Sequence, residues 1–249
     1  MYQKLLSLHK KIYGIDDQYL VERVFQCLRS SIPYLSSQRN ITVADLGCGD
    51  LRASNLVHLC LSENNNISSF YAVDLNPHPF SMEDRDKFKI LSCDLTNGEL
   101  IIADKSVDFV YALEVIEHLW NVDVFVSEIN RVLTDQGILV LTTPNLAALY
   151  NRLLLLLGIV PIHYELSLKK KYGRVFSQLG EGSEAVGHVR VFTPFALSKL
   201  LVDNVFEILE LKGLPFLFDG FSSVFDKFFS HIPSFSSMFL LVARKTTRV

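Results

Sequence analysis

The sequence has few cysteines, and their spacing gives no support for a disulfide framework. Cys27, Cys48, Cys60 and Cys93 are the four present, and no two of them form a C-x-x-C pair. Cys48 and Cys93 also lie inside candidate ligand-binding motifs, where a disulfide would be awkward. We therefore expect free thiols and a reducing compartment, the cytoplasm.

The sequence also lacks an apolar run long enough to cross a bilayer. Its most apolar window, residues 146–162, contains five consecutive leucines but is interrupted by Asn151 and Arg152 and stopped by Gly158 and Pro161. A spanning helix needs about 20 mainly apolar residues. Residues 1–9 show no signal-peptide core or cleavage site. We expect a soluble protein without a transmembrane segment, whose apolar surface could still contact a membrane peripherally.

Charge of one sign is not in excess. The chain has 24 Lys and Arg against 27 Asp and Glu, a net charge of −3, so nothing global indicates a nucleic-acid partner. The lysines at 169–171, followed by Arg174, are interpreted as a solvated face. With 249 residues, 49% of them hydrophobic, the chain can bury a full core in one domain.

The most informative segment that is present is the turn at residues 43–50. An apolar run ends on Asp45, turns through Gly47 and Gly49, and leads directly into a helical pattern at residues 51–61. Strand, glycine turn and helix bring bare backbone to a nucleotide-like ligand. A dinucleotide fingerprint would need glycine at position 52, where this chain has Arg52. An acid ahead of the first glycine suits a ligand with a cationic amino-acid end, such as S-adenosylmethionine.

Further strands follow, and two of them carry an acid at or near their end. Asp74 ends the second strand, where its carboxylate can accept both hydroxyls of a ribose. Asp94 lies near the end of the third strand, predicted at residues 89–95, and is placed for an adenine amino group. The remaining strands are predicted at residues 106–114, 138–143, 206–212 and 238–244. The predicted fold is α/β: a Rossmann-like, mostly parallel seven-stranded sheet with helices on both faces and an antiparallel last strand.

These motifs resemble those of the class I S-adenosylmethionine-dependent methyltransferases, in particular the methyltransferase type 11 and quinone O-methyltransferase group with an E-V-I-E-H-L segment (residues 114–119). The resemblance is strong over residues 41–145 and looser as far as residue 245. It implies S-adenosylmethionine as cofactor, with the methionine part at the glycine turn, the ribose at Asp74 and the adenine at Asp94. Many members have a third glycine where this chain has Leu51, which implies a tighter turn. The cofactor-binding residues implied are Asp45, Gly47, Cys48, Gly49, Asp74, Leu75, Asp94, Leu95 and Glu114.

The chain divides into segments of one methyltransferase domain, residues 1–249. Residues 1–40 are predicted N-terminal helices, with a helical repeat at residues 17–30 and with Tyr13 and Tyr19 as candidates for the rim of the cofactor site. Residues 41–145 form the cofactor-binding half, 146–190 a lid insertion, and 191–249 the C-terminal half with an apolar flap at 214–236. Thr193 and Pro194 predict a helix start.

Candidate catalytic residues follow the fourth strand. In a helical turn Glu114, Glu117 and His118 would share one face, and His188 could return to the same mouth after the lid. We expect Glu117, His118 and His188 to be catalytic without a metal, in O-methylation of an apolar quinone-like, lipid or lipid-linked small molecule. Two alternatives stay open. In the first, Glu114, Glu117, His118 and His188 match the metal ligands of RNA 3′-terminal 2′-O-methyltransferases. In the second, the protein binds the cofactor without turnover.

Overall fold

The structure, a computed structural model, describes residues 1–35, 40–63, 65–80, 86–175, 179–216 and 221–247. A few positions of the predicted N-terminal segment, lid and flap therefore lie outside the described residues. The strands are β1 (Asn40–Leu46), β2 (Asn66–Asp74), β3 (Lys89–Ser92), β4 (Val107–Leu113), β5 (Leu133–Pro144), β6 (Phe206–Leu214) and β7 (Met238–Lys245). The helices are α1 (Tyr2–Tyr13), α2 (Gln18–Ser31), α3 (Arg52–Leu61), α4 (Val122–Val132), α5 (Leu149–Leu156), α6 (Pro194–Asp203) and α7 (Phe221–Phe229).

The described strands form one seven-stranded sheet in the order β3-β2-β1-β4-β5-β7-β6. β1 pairs in parallel with both β2 and β4, whereas β7 runs antiparallel between β5 and β6. The predicted fold class is confirmed, including the antiparallel last strand. The strand order reverses between β1 and β4, so a crevice opens outside the carboxyl ends of these two strands.

Helices cover both faces of the sheet, as predicted. One hydrophobic cluster combines α1, α2 and α3 with side chains such as Val43, Phe109 and Val140. The other combines α4 and α6 with Ala44, Val110 and neighbouring strand residues. Apolar side chains that alternate along β1 and β4 thus enter opposite cores, which explains why both strands are almost continuously hydrophobic.

The largest difference from the predicted strand bounds is at the start of β5. The predicted strand starts at residue 138, after Asp135, Gln136 and Gly137, yet β5 begins at Leu133. Leu133 pairs with Val107 and Ile138 pairs with Phe109, with a register shift between these pairs. Gln136 adopts a left-handed φ of 73°. Residues 135–137 therefore form an irregularity within the strand and do not precede it.

The segment that follows the glycine turn departs from the usual residue choice. Leu51 has a φ of 68° and is the N-cap of α3, while its side chain is completely buried in the cluster with α2. A left-handed conformation is costly for a residue with a Cβ atom, about 1–2 kcal/mol. Leucine therefore takes the backbone geometry that glycine favours, and burial of its side chain offsets the strain.

We expect Leu51→Gly to be more stable than Leu51→Ala by about 1 kcal/mol. Both variants lose the buried side chain, which costs roughly 2–5 kcal/mol, but only glycine relieves the left-handed strain. Urea denaturation of the two variants measures the difference. In an ordinary helical position the order is reversed, so alanine being the more stable variant would show that Leu51 is not strained.

Helix α2 is held over the carboxyl ends of the strands. Asp17 caps it by accepting the N–H of Leu20, and the same side chain pairs with Arg52 at the start of α3, 3.2 Å away. The side chains of α2 are thereby presented to the crevice beside the glycine turn.

Thr193 caps α6 by accepting the N–H of Ala196, with Pro194 at the first helical position, as predicted.

Among the described residues, no helix combines the length and apolarity needed to cross a membrane. Within the predicted lid, α5 carries most of the leucine run, and three of its leucines and the leucine that follows the helix point to solvent. Leu153, Leu155, Leu156 and Leu157 are between 54% and 82% exposed.

Candidate active site

Two cavities meet at the glycine turn. The first, the Arg23 cavity, measures about 330 Å³ and is lined by residues of α2 and of the turn, including Arg23 and Asp45. The second, the Asp74 cavity, measures about 310 Å³ and lies beside Asp74. Gly47 and Glu114 line both, so the cavities adjoin at the ends of β1 and β4. A larger open groove of about 1230 Å³ lies between α2 and β6, beyond the glycine turn.

Gly47 needs to be glycine for a steric reason. Its φ is 89°, and a Cβ atom placed on it would lie 2.3 Å from Cγ2 of Val115. The backbone N–H groups of Gly47 and Cys48 both donate to the carbonyl oxygen of Val73, at 2.7 and 3.0 Å. The glycine turn is therefore packed between β2 and the segment after β4, which leaves bare backbone at the cavities.

Asp74 organises the mouth of its cavity. One carboxylate oxygen accepts the N–H of Gly49 at 2.9 Å and the other accepts the N–H of Asn76 at 3.0 Å. A carboxylate has about four acceptor sites, so these two bonds leave capacity for a diol. The Leu75 side chain beside it is 67% exposed.

Asp94 and Leu95 form the far wall of the Asp74 cavity. The exposed Asp94 side chain accepts the N–H of Thr96 at 2.9 Å, which orders the turn, and Leu95 is buried behind it. The wall thus offers one acceptor and an apolar surface, a combination that suits a purine ring.

Asp45 is buried and already engaged in hydrogen bonds. It accepts the hydroxyls of Ser54, at 2.6 Å, and Tyr111, at 2.9 Å. Burial raises its pKa to about 7, although the two hydroxyls oppose the shift. Asp45 therefore connects β1, α3 and β4, and its carboxylate can gain or lose a proton near neutrality.

Arg23 is a site residue that sequence reasoning missed. It is buried, its guanidinium lies 4.6 Å from the ring centre of Tyr19, and Nη2 donates to the carbonyl oxygen of Pro215 at 2.9 Å. Within the described chain, Nε and Nη1 have no hydrogen-bond partner, and Nε lies 3.8 Å from Glu114. An anion bound in the Arg23 cavity would supply acceptors for these two buried donors. The signal in the sequence was an arginine within the apolar stripe of α2, four residues after Tyr19.

The segment 114–118 differs from the predicted helical turn. Glu114 has a φ of 60°, and only residues Ile116–His118 form a short 3₁₀ turn. Glu114 accepts hydrogen bonds from Thr142, at 2.6 Å, and from Tyr19, at 3.2 Å, at the junction of the cavities. Because the left-handed residue reverses the backbone, Glu114 does not share a helix face with Glu117 and His118.

His118 and His188 are brought together by the return of the lid. Their rings lie 5.0 Å apart. Nδ1 of His118 is 3.1 Å from the carbonyl oxygen of Gly187, and Nδ1 of His188 is 3.2 Å from that of His163. A carbonyl oxygen only accepts, so each Nδ1 carries the proton and each Nε2 keeps a lone pair. Burial and the nearby His118 lower the pKa of His188, which favours its neutral form.

Glu117 lies close to the two histidines. It is buried, and Oε2 accepts the hydroxyl of Thr143 at 2.9 Å, whereas Oε1 has no partner in the described chain. Burial and the charge of Glu114 raise its pKa well above the ordinary value. One ligand atom from each of Glu117, His118 and His188 can be chosen so that all lie within 4.8 Å of one another.

The basic segment of the lid is only partly the solvated face that was predicted. Lys169 and Lys170 are exposed, but Arg174 is 2% exposed. Its guanidinium donates to the carbonyl oxygens of Ile162 and Leu179, and its backbone N–H donates to Glu181. Arg174 therefore holds the lid together internally, a role that the sequence did not indicate.

Comparisons with known proteins agree with this geometry. A family model described as a methyltransferase domain matches residues 44–141. The ubiquinone biosynthesis O-methyltransferase of Rickettsia typhi is 29% identical over 211 residues, which cover 84% of this chain and 74% of that protein. A protein of Mycolicibacterium smegmatis named "Probable S-adenosylmethionine-dependent methyltransferase" is 51% identical over 48 residues, so the chain spans about a fifth (19%) of its length.

Two solved structures share the fold at low identity. A complex between the Trm112 methyltransferase activator and a methyltransferase, from Haloferax volcanii, matches with a TM-score of 0.61, 15% identity and 92% coverage of each chain. An S-adenosylmethionine-dependent methyltransferase from Mesorhizobium loti matches with a TM-score of 0.52 and 16% identity over 90% of this chain and 98% of that one.

These comparisons support a class I S-adenosylmethionine-dependent methyltransferase. They indicate S-adenosylmethionine as the cofactor, and the residues present fit that group. The methyltransferase offers buried, unpartnered donors of Arg23 for a carboxylate, and Asp74 for a diol in the adjoining cavity. Each of the nine cofactor-binding positions predicted from sequence lines one or both of these cavities.

Proposed function

We propose that this methyltransferase transfers a methyl group to a hydroxyl of an apolar small molecule, with His118 or His188 as general base. The proposal rests on the tautomers of the two histidines. Each Nδ1 atom donates to a backbone carbonyl oxygen, so each Nε2 atom of the neutral rings keeps a lone pair that can accept a proton. His118 lines the Asp74 cavity. An imidazole whose pKa is near or below neutrality suits the removal of a phenol or alcohol proton.

The bound cofactor supplies a methyl group that is already activated, so the protein's work is positioning and proton removal. Arg23 and the glycine turn hold one end of the cofactor site, and Asp74, Leu75, Asp94 and Leu95 hold the other. Glu114 joins the two halves by accepting from Thr142 and Tyr19. Glu117 lies near the two histidines, and its raised pKa favours the protonated form, which avoids a second negative charge beside Glu114.

A quinone-like or lipid acceptor is supported by the apolar lid and by one set of relatives. Several Rickettsia proteins that share up to 29% identity with this chain are named ubiquinone biosynthesis O-methyltransferases. The ring of Phe216 lies 5.3 Å from that of His163, which in turn lies 5.9 Å from His188. Aromatic side chains thus extend from the histidines toward the flap. The four free thiols support a reducing compartment, and we place the reaction in the cytoplasm.

Methyl transfer to a panel of acceptors tests the proposal. With labelled S-adenosylmethionine, we expect label in the ether of an alkyl-tailed hydroquinone and little in a long-chain alcohol or an RNA oligonucleotide with a free 3′ end. Label only in RNA, dependent on a divalent ion, would contradict the proposal. Binding of S-adenosylhomocysteine without transfer to any acceptor would favour a cofactor-binding protein without turnover.

The exposed leucines of α5 are proposed to contact a membrane surface peripherally. Leu156 and Leu157 are 82% and 73% exposed, and Leu168, 60% exposed, is followed directly by the exposed Lys169 and Lys170. Apolar side chains flanked by lysines suit an interface with anionic lipid. An acceptor that partitions into lipid could reach the active site from such a surface.

The double variant Leu155→Ser/Leu156→Ser is expected to bind anionic phospholipid vesicles at least about tenfold more weakly, because each buried leucine contributes roughly 1.5–3 kcal/mol. Vesicle sedimentation measures the loss, and the melting temperature and S-adenosylhomocysteine affinity should stay unchanged. Ile101→Ser, at an 81% exposed site before β4, is the matched control. Equal losses in the control and the double variant would argue against this surface.

Metal-assisted 2′-O-methylation of RNA is the second candidate function. It is favoured by the convergence of Glu117, His118 and His188 within 4.8 Å, and by the unpartnered buried Oε1 of Glu117. A divalent ion there would compensate the buried carboxylate and lower the pKa of a ribose hydroxyl. The burial of Arg174 argues against it, because that residue cannot contribute to a basic track for RNA.

A further inference from the structure

A carboxylate inside the lid anchors the loop that carries His188. The side chain of Glu165 is 1% exposed. It accepts the N–H groups of three consecutive residues: Val186 at 3.0 Å, Gly187 at 2.8 Å and His188 at 3.0 Å. Burial raises the pKa of Glu165, but these backbone bonds outweigh it and leave the pKa below its ordinary value. Glu165 is therefore a fixed anion in a nest of backbone donors.

The geometry of the loop depends on this anion. Three successive N–H groups converge on one point only where the backbone curls, and Gly187 has a φ of 94°. Without an acceptor the three converging donors would repel one another, and the half-buried N–H groups of Gly187 and His188 would lose their hydrogen bonds. Lys171 lies 3.8 Å from the carboxylate, beyond hydrogen-bond range, so the backbone contacts are the shorter ones.

The same loop orients both histidines. The carbonyl oxygen of Gly187 accepts from Nδ1 of His118, while His188 itself donates to the carbonyl oxygen of His163. His163 lies two residues before Glu165 in the chain. One peptide held by Glu165 thus determines the tautomer of His118, and the neighbouring residue carries the second ring.

We propose that Glu165 is a positioning residue: it locks residues 186–188 against the turn after β4 and so directs the Nε2 atoms of His118 and His188 toward the acceptor. This inference rests on the proposed function, in which those two atoms act on the acceptor. Glu165 touches neither cofactor nor acceptor in this assignment and acts only through the loop.

Hydrogen exchange and steady-state kinetics on the full chain test it together. Glu165→Gln keeps one acceptor atom, and Glu165→Ala keeps none. For Glu165→Ala we expect faster amide exchange over residues 186–188 by about tenfold or more. We also expect a fall in kcat of roughly a hundredfold on the tailed hydroquinone, as for a catalytic group displaced by about 1 Å. The KM for S-adenosylmethionine should change less than twofold, and Glu165→Gln should lie between.

Lys171→Met is the matched control, because it removes the nearby charge and keeps the backbone nest. It should leave kcat within about threefold, in line with the small contribution of a distant ion pair. An equal loss in Lys171→Met and Glu165→Gln would overturn the proposal in favour of charge pairing. So would faster exchange in Glu165→Ala with unchanged kcat, or a loss explained by a lower melting temperature alone.

Failure of the proposed function would look different. If wild-type protein shows no transfer to a hydroquinone but does methylate RNA, the function is wrong, and the kinetic comparison is repeated on RNA. The exchange arm needs no acceptor at all. Unchanged amide exchange at residues 186–188 in Glu165→Ala would overturn the positioning role of Glu165, whichever acceptor the protein uses.

Discussion

Arg23→Met is expected to lower the affinity for S-adenosylhomocysteine by about 2–3 kcal/mol, roughly 30- to 150-fold. The side chain has two buried donors without a protein acceptor, facing the cavity beside the glycine turn. Charge-assisted hydrogen bonds to a carboxylate contribute about 1.5–3 kcal/mol each before the desolvation of the arginine is subtracted. Methionine fills similar space without the charge. Isothermal titration calorimetry measures the loss.

The control for Arg23 is Arg29→Met, which removes an exposed arginine from the same helix. It should bind the ligand as wild type does. The ligand-free Arg23→Met protein should melt within a few degrees of wild type, because the guanidinium it loses is incompletely paired. Unchanged affinity in Arg23→Met would place the anionic end of the cofactor elsewhere.

His118→Ala and His188→Ala are expected to lower kcat on the hydroquinone, one of them by about 10²–10⁴-fold, the usual contribution of a general base. Cofactor affinity should change less than about twofold in His188→Ala, since His188 lines neither cavity, whereas His118→Ala is expected to weaken it somewhat because His118 lines the Asp74 cavity. Steady-state kinetics with and without a chelator measure the effect. Phe195→Ala, an 82% exposed site in α6, is the control and should retain wild-type kcat.

The pH dependence gives an independent readout. A general base must be neutral, so kcat falls as pH drops through the pKa of the base. Burial lowers the pKa of His188 below its ordinary value. If His188 is the base, activity therefore persists below about pH 6.5, the reference value for histidine.

Loss of activity on chelation, restored by a divalent ion, would contradict the metal-free assignment and favour the RNA alternative.

The parts predicted well from sequence were those in which neighbouring residues alone determine geometry. Asp74 ends β2 and Asp94 lies two residues after β3. The positions of these strands follow from apolar patterning, and parallel strands bring such ends to one edge. Thr193 and Pro194 start a helix for reasons confined to one turn. In each of these positions local chemistry and the fold require the same structure.

The parts that were missed depend on contacts between distant segments. Arg23 and Arg174 are charged, so composition assigns them to the surface, yet tertiary contacts bury them. Glu114 leaves the helical conformation because its side chain bonds to Thr142 on the adjacent strand. The proposed positioning role of Glu165 depends on residues 186–188, which fold back onto its carboxylate. These contacts join segments that are far apart in the chain, so no spacing rule within the sequence predicts them.

A crystal structure of the protein with S-adenosylhomocysteine tests the central assignment most directly. We expect the ligand to occupy both cavities, with its carboxylate at Arg23 within about 2.7–3.2 Å, its ribose hydroxyls at Asp74 and its sulfur on the side of His118 and His188. A ligand bound outside these cavities, or with its ribose away from Asp74, would contradict the assignment.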